Sequence, residues 1–379
     1  MTVSRFAFPT TIFFGAGARA AIGPDLVAAG VRRPLVVTDQ GVAGLPFFSD
    51  LVASLEQAGL TPASFDGVWG NPVLGQVDAG VEAFGSHGAD AVVGVGGGAA
   101  LDVAKAVGLM ATHEGTLLDY EDEVPGSRPV GPIPHFVAVP TTAGTGSEVG
   151  RSAVIADDNH RKRIIFSPEL LAKVVYADPE LTVGLPPSVT AATGMDALTH
   201  NVEAYLAKGY HPICDGIALE GLRLAGANLH RAVAEGTDLD ARGAMLMSSM
   251  MGASAVQKGL GAVHSTAHAL GTAVDMHHGL ANAVMIDHAL ALNTEAVPER
   301  FATMAATVGL EHATPPAFLA WLRDLKQQIG MPATLTAAGV GADRIDELTE
   351  LATADACWAN NPVPVSPGQF RRVFETALS

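Results

Sequence analysis

Residues 90–108 read DAVVGVGGGAALDVAKAVG, an apolar run that ends in Gly96, Gly97 and Gly98 and passes directly into a segment carrying Asp102 and Lys105. The apolar run is short and β-branched and the segment after it has helical spacing, so the stretch predicts a strand, a tight glycine turn and a helix. Glycines at that turn let backbone N–H groups approach a pyrophosphate, and the helix start adds partial positive charge. The spacing is neither G-x-G-x-x-G nor the Walker pattern, so the same residues also fit a turn that binds nothing.

Outward from this stretch the first half keeps alternating. RRPLVVTD (32–39), LPFFSDLVASLEQAGL (45–60), VEAFGSHGA (81–89) and HFVAVPTT (135–142) switch between strand and helix patterns, the signature of a parallel βαβ sheet. The strand at 34–39 ends in Asp39, whose carboxylate suits a ribose 2′-hydroxyl and repels a 2′-phosphate, although Asp at a strand end is also a common turn former. A second loop, PTTAGTGSE (140–148), offers Thr141, Thr142, Thr145 and Ser147 as donors beyond another strand.

From Pro186-Pro187 the pattern changes to long helices, TAATGMDALTHNVEAYLA (190–207), CDGIALEGLRLAGANLHRAVAEG (214–236) and ARGAMLMSSMMGASAVQKG (241–259). The expected organisation is an α/β half with a parallel sheet and a helical half, with a boundary near 186. The methionines at 245, 247, 250 and 251 are read as core filler.

Within the helical half, Asp196 and His200 stand four apart and share a helix face. GAVHSTAHALGTAVDMHHG (261–279) adds His264, His268, His277 and His278. A carboxylate with several imidazoles and no thiolate suits Fe²⁺ or Zn²⁺, but spacing does not choose among those four histidines. His160, His230 and His288 are isolated and read as ordinary hydrogen-bonded residues.

The chain has 379 residues, 48% of them hydrophobic, and a net charge of −17, which fits two cores and argues against nucleic acid or an anionic membrane as partner. Cys214 and Cys357 form no disulfide framework or CxxC motif, the opening MTVSRFAFPTTIFFGAGA lacks a signal-peptide core, and no apolar run is long enough to span a bilayer. A cytoplasmic enzyme of small molecules is the expectation.

Along nearly its whole length the chain resembles the iron-containing (group III) alcohol dehydrogenases. The resemblance rests on FAFPTTIFFGAGA, GVWGNPV, GVGGGAALDVAKA, PTTAGTGSEV, FSPELLAKVVYADPELT, LPPSVTAATGMDALTHNVEAYLA, GAVHSTAHALG, HHGLANAVM and ANNPVPVSPGQF. It implies an α/β Rossmann-like NAD-binding domain over 1–186 and an all-α metal-binding domain over 187–379, forming an NAD- and divalent-metal-dependent enzyme that interconverts a small alcohol and its aldehyde, with the active site in a cleft between the two domains and a homodimeric assembly. Carried over residue by residue, it implies Asp196, His200, His264 and His278 as ligands of Fe²⁺, with Zn²⁺ as the alternative. It implies cofactor contacts from Asp39, Asn71, Gly97, Gly98, Asp102, Thr141, Thr142 and Lys162, with Asp39 favouring NAD over NADP. His268 becomes the non-ligand histidine near the nicotinamide and the first candidate proton relay, His277 the second. Two departures stand out: Ala99-Ala100 replaces a common Ser-Pro, and Arg161 and Arg163 flank Lys162.

Glycerol dehydrogenases and dehydroquinate synthases share this architecture and are the alternative reading. A phosphate-bearing substrate calls for clustered Lys and Arg, and the helical motifs hold almost none, Lys258 being the nearest. A non-catalytic nucleotide- or metal-binding protein is the third reading, since fold alone does not establish chemistry.

Overall fold

The computed structural model describes residues 8, 10–122, 124–159 and 161–379; His160 and most of the first nine residues lie outside the described residues. The chain divides into two compact units. One comprises Phe8–Thr142 and Gly146–Thr182, the other Ala143–Thr145 and Val183–Ser379.

The first unit is built on six strands, β1 (Thr11–Phe14), β2 (Pro34–Asp39), β3 (Ala63–Val68), β4 (Ala91–Gly96), β5 (His135–Pro140) and β8 (Val174–Ala177). They lie in the order β1-β8-β5-β4-β2-β3 and every pairing is parallel. A hairpin of β6 (Ser152–Ala156) and β7 (Lys162–Phe166) stands apart as an antiparallel pair. β2 and β4 are buried nearly throughout, as strands covered on both faces must be, which is why their sequences are continuous Val-rich runs rather than alternating ones.

The sheet order explains why Asp39 precedes the glycine loop in the chain. From β2 the chain moves outward to β3, whereas from β4 it moves the other way to β5. The carboxyl ends of β2 and β4, paired in register as Thr38 with Val95, are therefore the point where the strand order reverses and a crevice opens.

The second unit contains no strand among its described residues. Its principal helices are Pro187–Leu206, Pro212–Ala234, Leu239–Ala255, Ala262–Val274 and His278–Leu290. Pro187 and Pro212 each open their helix, where a missing N–H costs nothing and the ring fixes the required φ. The helix Pro187–Leu206 is buried almost all round from Thr190 onward, so it is the unit's central element and its polar residues face other helices instead of solvent. Met245 and Met250 lie in the core of this unit. No helix among the described residues is long and apolar enough to cross a membrane.

Candidate metal and nucleotide sites

At the crevice of the first unit, Gly97 is the N-cap of the helix Gly98–Met110. Gly96 sits at φ 150°, where a side chain is strained, and a β-carbon there would lie 2.6 Å from that of Ala100. A β-carbon on Gly97 would come within 3.2 Å of the Thr142 side chain. The glycines thus keep backbone exposed where side chains would close the turn. A hollow of about 280 Å³ opens there, lined by Asp39, Val68, Trp69, Gly70, Gly97 and Ala99 among others. Asp39 turns the chain at the strand end, its Oδ1 accepting the Val42 N–H at 2.9 Å as a helix N-cap, and the residue also lines the hollow. Asn71 is exposed next to Gly70, and Thr141 is buried with its N–H on the Gly96 carbonyl at 3.0 Å. Of the three cations at 161–163, Arg163 is held by Asp157 at 2.7 Å and Glu121 at 3.2 Å, while Lys162 opens β7.

Asp102 lies in a polar knot. Its Oδ1 accepts Ser147 Oγ at 2.6 Å and its Oδ2 accepts the Val154 N–H at 3.1 Å. Lys105 is fully buried beneath it and donates to Ser147 Oγ and the Ser152 carbonyl, both at 2.7 Å. The neighbouring Glu148 is also buried, and its Oε1 has no hydrogen-bond partner. Burial pushes the Glu148 carboxyl up to about 7, against the downward pull of a backbone bond and of Lys105. A carboxyl raised in the folded state stabilises the fold while protonated and loses that contribution as pH rises through the folded value. Between pH 5 and pH 8 the wild-type protein should therefore lose stability relative to Glu148→Gln, whose amide stays neutral. Thermal melts of both proteins across that range are the check, and parallel curves would refute the assignment.

In the second unit, Asp196 and His200 project from the helix Pro187–Leu206, His264 and His268 from Ala262–Val274, and His278 begins His278–Leu290. Asp196 Oδ1 lies 3.9 Å from His200 Nδ1, 3.8 Å from His264 Nε2 and 3.4 Å from His278 Nε2. Ligands about 2.1 Å from a tetrahedral ion stand about 3.4 Å apart; Asp196, His200 and His264, whose ligand atoms all lie within 4.8 Å of one another, come near that spacing, and His278 approaches Asp196 without joining that mutual group. Burial drives the His200 pKa down to about 4, with smaller opposing effects from Asp196 and Glu203, so this imidazole is neutral at pH 7 and presents a lone pair. His200 Nδ1 has no hydrogen-bond partner, which is what a buried ligand atom looks like when the protein alone is considered.

Small residues let the helices His278–Leu290 and Leu239–Ala255 come close to Pro187–Leu206 here. A β-carbon at Gly279 would sit 2.2 Å from the Ala192 carbonyl oxygen, and one at Gly252 would sit 2.9 Å from the His200 β-carbon. The turn that delivers His278 is made by Asp275, the one non-glycine residue at positive φ among the described residues, at 51°. It ends the preceding helix in the left-handed conformation that Asp tolerates better than most residues.

Two further residues complete the centre, and the motif reading named neither. Glu203 Oε2 accepts His264 Nδ1 at 2.6 Å and the His264 N–H at 3.2 Å, while Oε1 accepts the Val263 N–H at 2.7 Å. One carboxylate thus caps the helix start and fixes the His264 tautomer so that Nε2 faces Asp196. Asn282, one turn after His278, donates from Nδ2 to Asp196 Oδ1 at 2.8 Å. Glu203 had a signal: it is seven residues after Asp196 and three after His200, on the same helix face.

His268 joins the same cluster of rings. Its ring stacks on His278 with centroids 5.4 Å apart and meets His264 edge-on at 6.0 Å. His277 is exposed at the N-cap of the helix that His278 begins.

Comparison with known proteins identifies the family and the fold. The family described as "Iron-containing alcohol dehydrogenase" matches residues 9–179, and "Fe-containing alcohol dehydrogenase family, C-terminal" matches 190–378. The 4-hydroxybutyrate dehydrogenase of Cupriavidus necator is 38% identical over 97% of this chain and 98% of its own. A solved 1,3-propanediol oxidoreductase superposes with a TM-score of 0.94 at 37% identity, covering 99% of this chain and 100% of that one. The sulfoacetaldehyde reductase of Bifidobacterium kashiwanohense, solved in complex with NAD⁺, superposes with a TM-score of 0.92 at 28% identity over all of both chains.

Proposed function

Because this chain belongs to the iron-containing alcohol dehydrogenase family, we propose that its NAD-dependent oxidation of an alcohol, and the reverse reduction, run at a centre held by Asp196, His200, His264 and His278. The single observation that carries this reading is the convergence of three imidazoles on one buried carboxylate oxygen at 3.4–3.9 Å. In the cell we assign Fe²⁺, with Zn²⁺ able to take the same oxygen and nitrogen donors. The ion supplies Lewis acidity to the substrate oxygen, and the nicotinamide supplies or accepts the hydride.

The chain's own residues do the rest. Asp196 brings the one negative charge among the four ligands. Glu203 and Asn282 hold two of them in orientation. His268 handles the proton of the substrate hydroxyl, favoured over His277 by its place among the site's rings. In the other unit, Gly97 and Gly98 cradle the pyrophosphate with Thr141 and Thr142 beside them, and Asn71, Asp102 and Lys162 complete the cofactor contacts. Lys162 is preferred to Arg163 because Arg163 already serves two carboxylates.

Asp39 sets the cofactor. Its carboxylate would repel a 2′-phosphate about 4 Å away by about 1–4 kcal/mol, depending on screening. Asp39→Ser keeps a capping oxygen for Val42 and removes the charge. The preference for NADH over NADPH, read as the ratio of kcat/KM, should fall by about tenfold or more.

We assign the substrate to short primary alcohols and their aldehydes, with C3–C4 diols and hydroxy acids, the compounds named for similar proteins, tested first. Anaerobically purified protein, assayed for NADH formation across that panel alongside elemental analysis, tests the whole reading. One divalent ion per chain with steady turnover is the expected result; turnover indifferent to removal of the ion by a chelator would sink it. The reading includes a cytoplasmic homodimer, carried by family resemblance and checked by sedimentation velocity.

A further inference from the structure

Asp355 lies immediately after the helix Ile345–Ala354 and belongs to none of the motifs that mark the site. Its carboxylate is nonetheless fully engaged. Oδ1 accepts Ser265 Oγ at 2.7 Å and the Cys357 N–H at 2.8 Å, and Oδ2 accepts His268 Nδ1 at 2.8 Å. Ser265 Oγ in turn accepts the Trp358 N–H at 3.0 Å, so the hydroxyl proton is directed to Asp355 and the carboxylate cannot turn freely. Asp355 and His268 are both mostly shielded, with 18% and 24% of their side chains exposed.

Burial alone would raise the Asp355 pKa, but the bonds and charge from His268, together with Ser265 and the Cys357 N–H, outweigh it and hold the carboxyl well below the usual range. An ionised carboxylate only accepts hydrogen bonds, so the His268 nitrogen facing it must carry a proton. In neutral imidazole the opposite nitrogen, Nε2, is then the acceptor. The same logic governs His264, whose Nδ1 is fixed by Glu203. The two carboxylates therefore set two neighbouring rings in the same tautomer, one presenting its Nε2 to Asp196 and the other keeping its Nε2 for a proton.

We propose that Asp355, steadied by Ser265, is a positioning residue that locks His268 into the Nδ1–H tautomer and so leaves Nε2 competent to accept the substrate proton. The inference rests on the reading of His268 as the relay.

The test uses the Zn²⁺-loaded enzyme in four forms: wild type, Asp355→Asn, His268→Ala and the double variant. The amide of Asp355→Asn can turn an N–H toward Nδ1 and favour the Nε2–H tautomer. Its kcat should fall by about a hundredfold, within the range for losing a positioned general base, with the alcohol KM and one metal per chain retained. Spectra of ¹⁵N-histidine-labelled protein should show the His268 nitrogens exchanging their protonated and unprotonated shifts. In the His268→Ala background, Asp355→Asn should change kcat by less than about twofold, because two residues acting through one group are not additive.

Unchanged tautomer shifts in Asp355→Asn overturn the positioning role, whatever happens to kcat. So does a loss of metal equal to the loss of activity, which would make Asp355 a support of the metal centre. An undiminished kcat in His268→Ala overturns the relay reading itself, a failure separable because the tautomer measurement does not depend on it. If Asp355→Asn does not fold, Ser265→Ala carries the test, with an expected kcat loss of about tenfold at full metal content.

Discussion

Asp196→Asn, purified anaerobically with ferrous ion supplied, should retain less than about a tenth of an ion per chain, with turnover down by about a thousandfold, the rate equivalent of about 4 kcal/mol. The size of the effect follows from the proposed donor set of Asp196, His200, His264 and His278. Three of the four groups are imidazoles, and His200 is neutral at pH 7 because burial lowers its pKa to about 4. The remaining donor, Asp196, is the only one that offsets the ion's charge, and its Oδ1 is the atom that the three rings surround. Replacing it by an amide of the same shape keeps the packing and removes the charge. Glu203→Gln provides the graded comparison, since it leaves all four donors present but loosens His264; loss of an orienting partner costs about 10–100-fold in metal affinity. Isothermal titration of metal into the stripped proteins should rank them wild type, then Glu203→Gln, then Asp196→Asn. An Asp196→Asn protein that binds metal as tightly as wild type would remove Asp196 from the site.

Gly279→Ala should disable the same centre without touching a ligand. The added β-carbon would fall 2.2 Å from the Ala192 carbonyl oxygen, where nonbonded atoms need more than 3 Å. Backbone on both sides limits relief, so the start of the helix His278–Leu290 must move by about 1 Å away from Pro187–Leu206. Metal–ligand distances tolerate only about 0.2 Å, so His278 would leave the coordination sphere. Overpacking of this kind also costs about 1–3 kcal/mol of stability. The expected protein is folded, melts several degrees lower and holds metal weakly. Gly271→Ala, on the helix Ala262–Val274, is the control: its β-carbon would meet only the Met276 carbonyl at 3.8 Å, and stability should hold or rise by about 0.5–1 kcal/mol. Metal content and melting temperature of the two variants, measured side by side, decide between local crowding at 279 and a general intolerance of alanine.

The sites differ in how far sequence reaches into them. The i, i+4 pair Asp196 and His200 was legible because both residues sit on one helix, where spacing sets direction. The choice among His264, His268, His277 and His278 was not, because it depends on where the turn at Asp275 aims the next helix and on the gap that Gly279 leaves. Asp39 had two readings, turn former and ribose acceptor; the fold shows the first as a helix N-cap and puts the residue at the lining of the hollow beside Gly97. Glu203 could have been found from its position on the Asp196 face. Asp355 could not: it meets His268 across 87 residues of chain, with no local pattern linking them.

By itself the sequence determined the two-part architecture, with a parallel α/β half followed by a helical half, and the family to which the chain belongs. Strand and helix periods are written into neighbouring residues, and motifs are local strings, so both survive without coordinates. Only the tertiary structure decided which nitrogen of each histidine faces which carboxylate, and which residues stand behind the ligands. Those relations are distances of a few ångströms between helices far apart in sequence, set by close backbone approach and by hydrogen bonds that form only once the chain has folded.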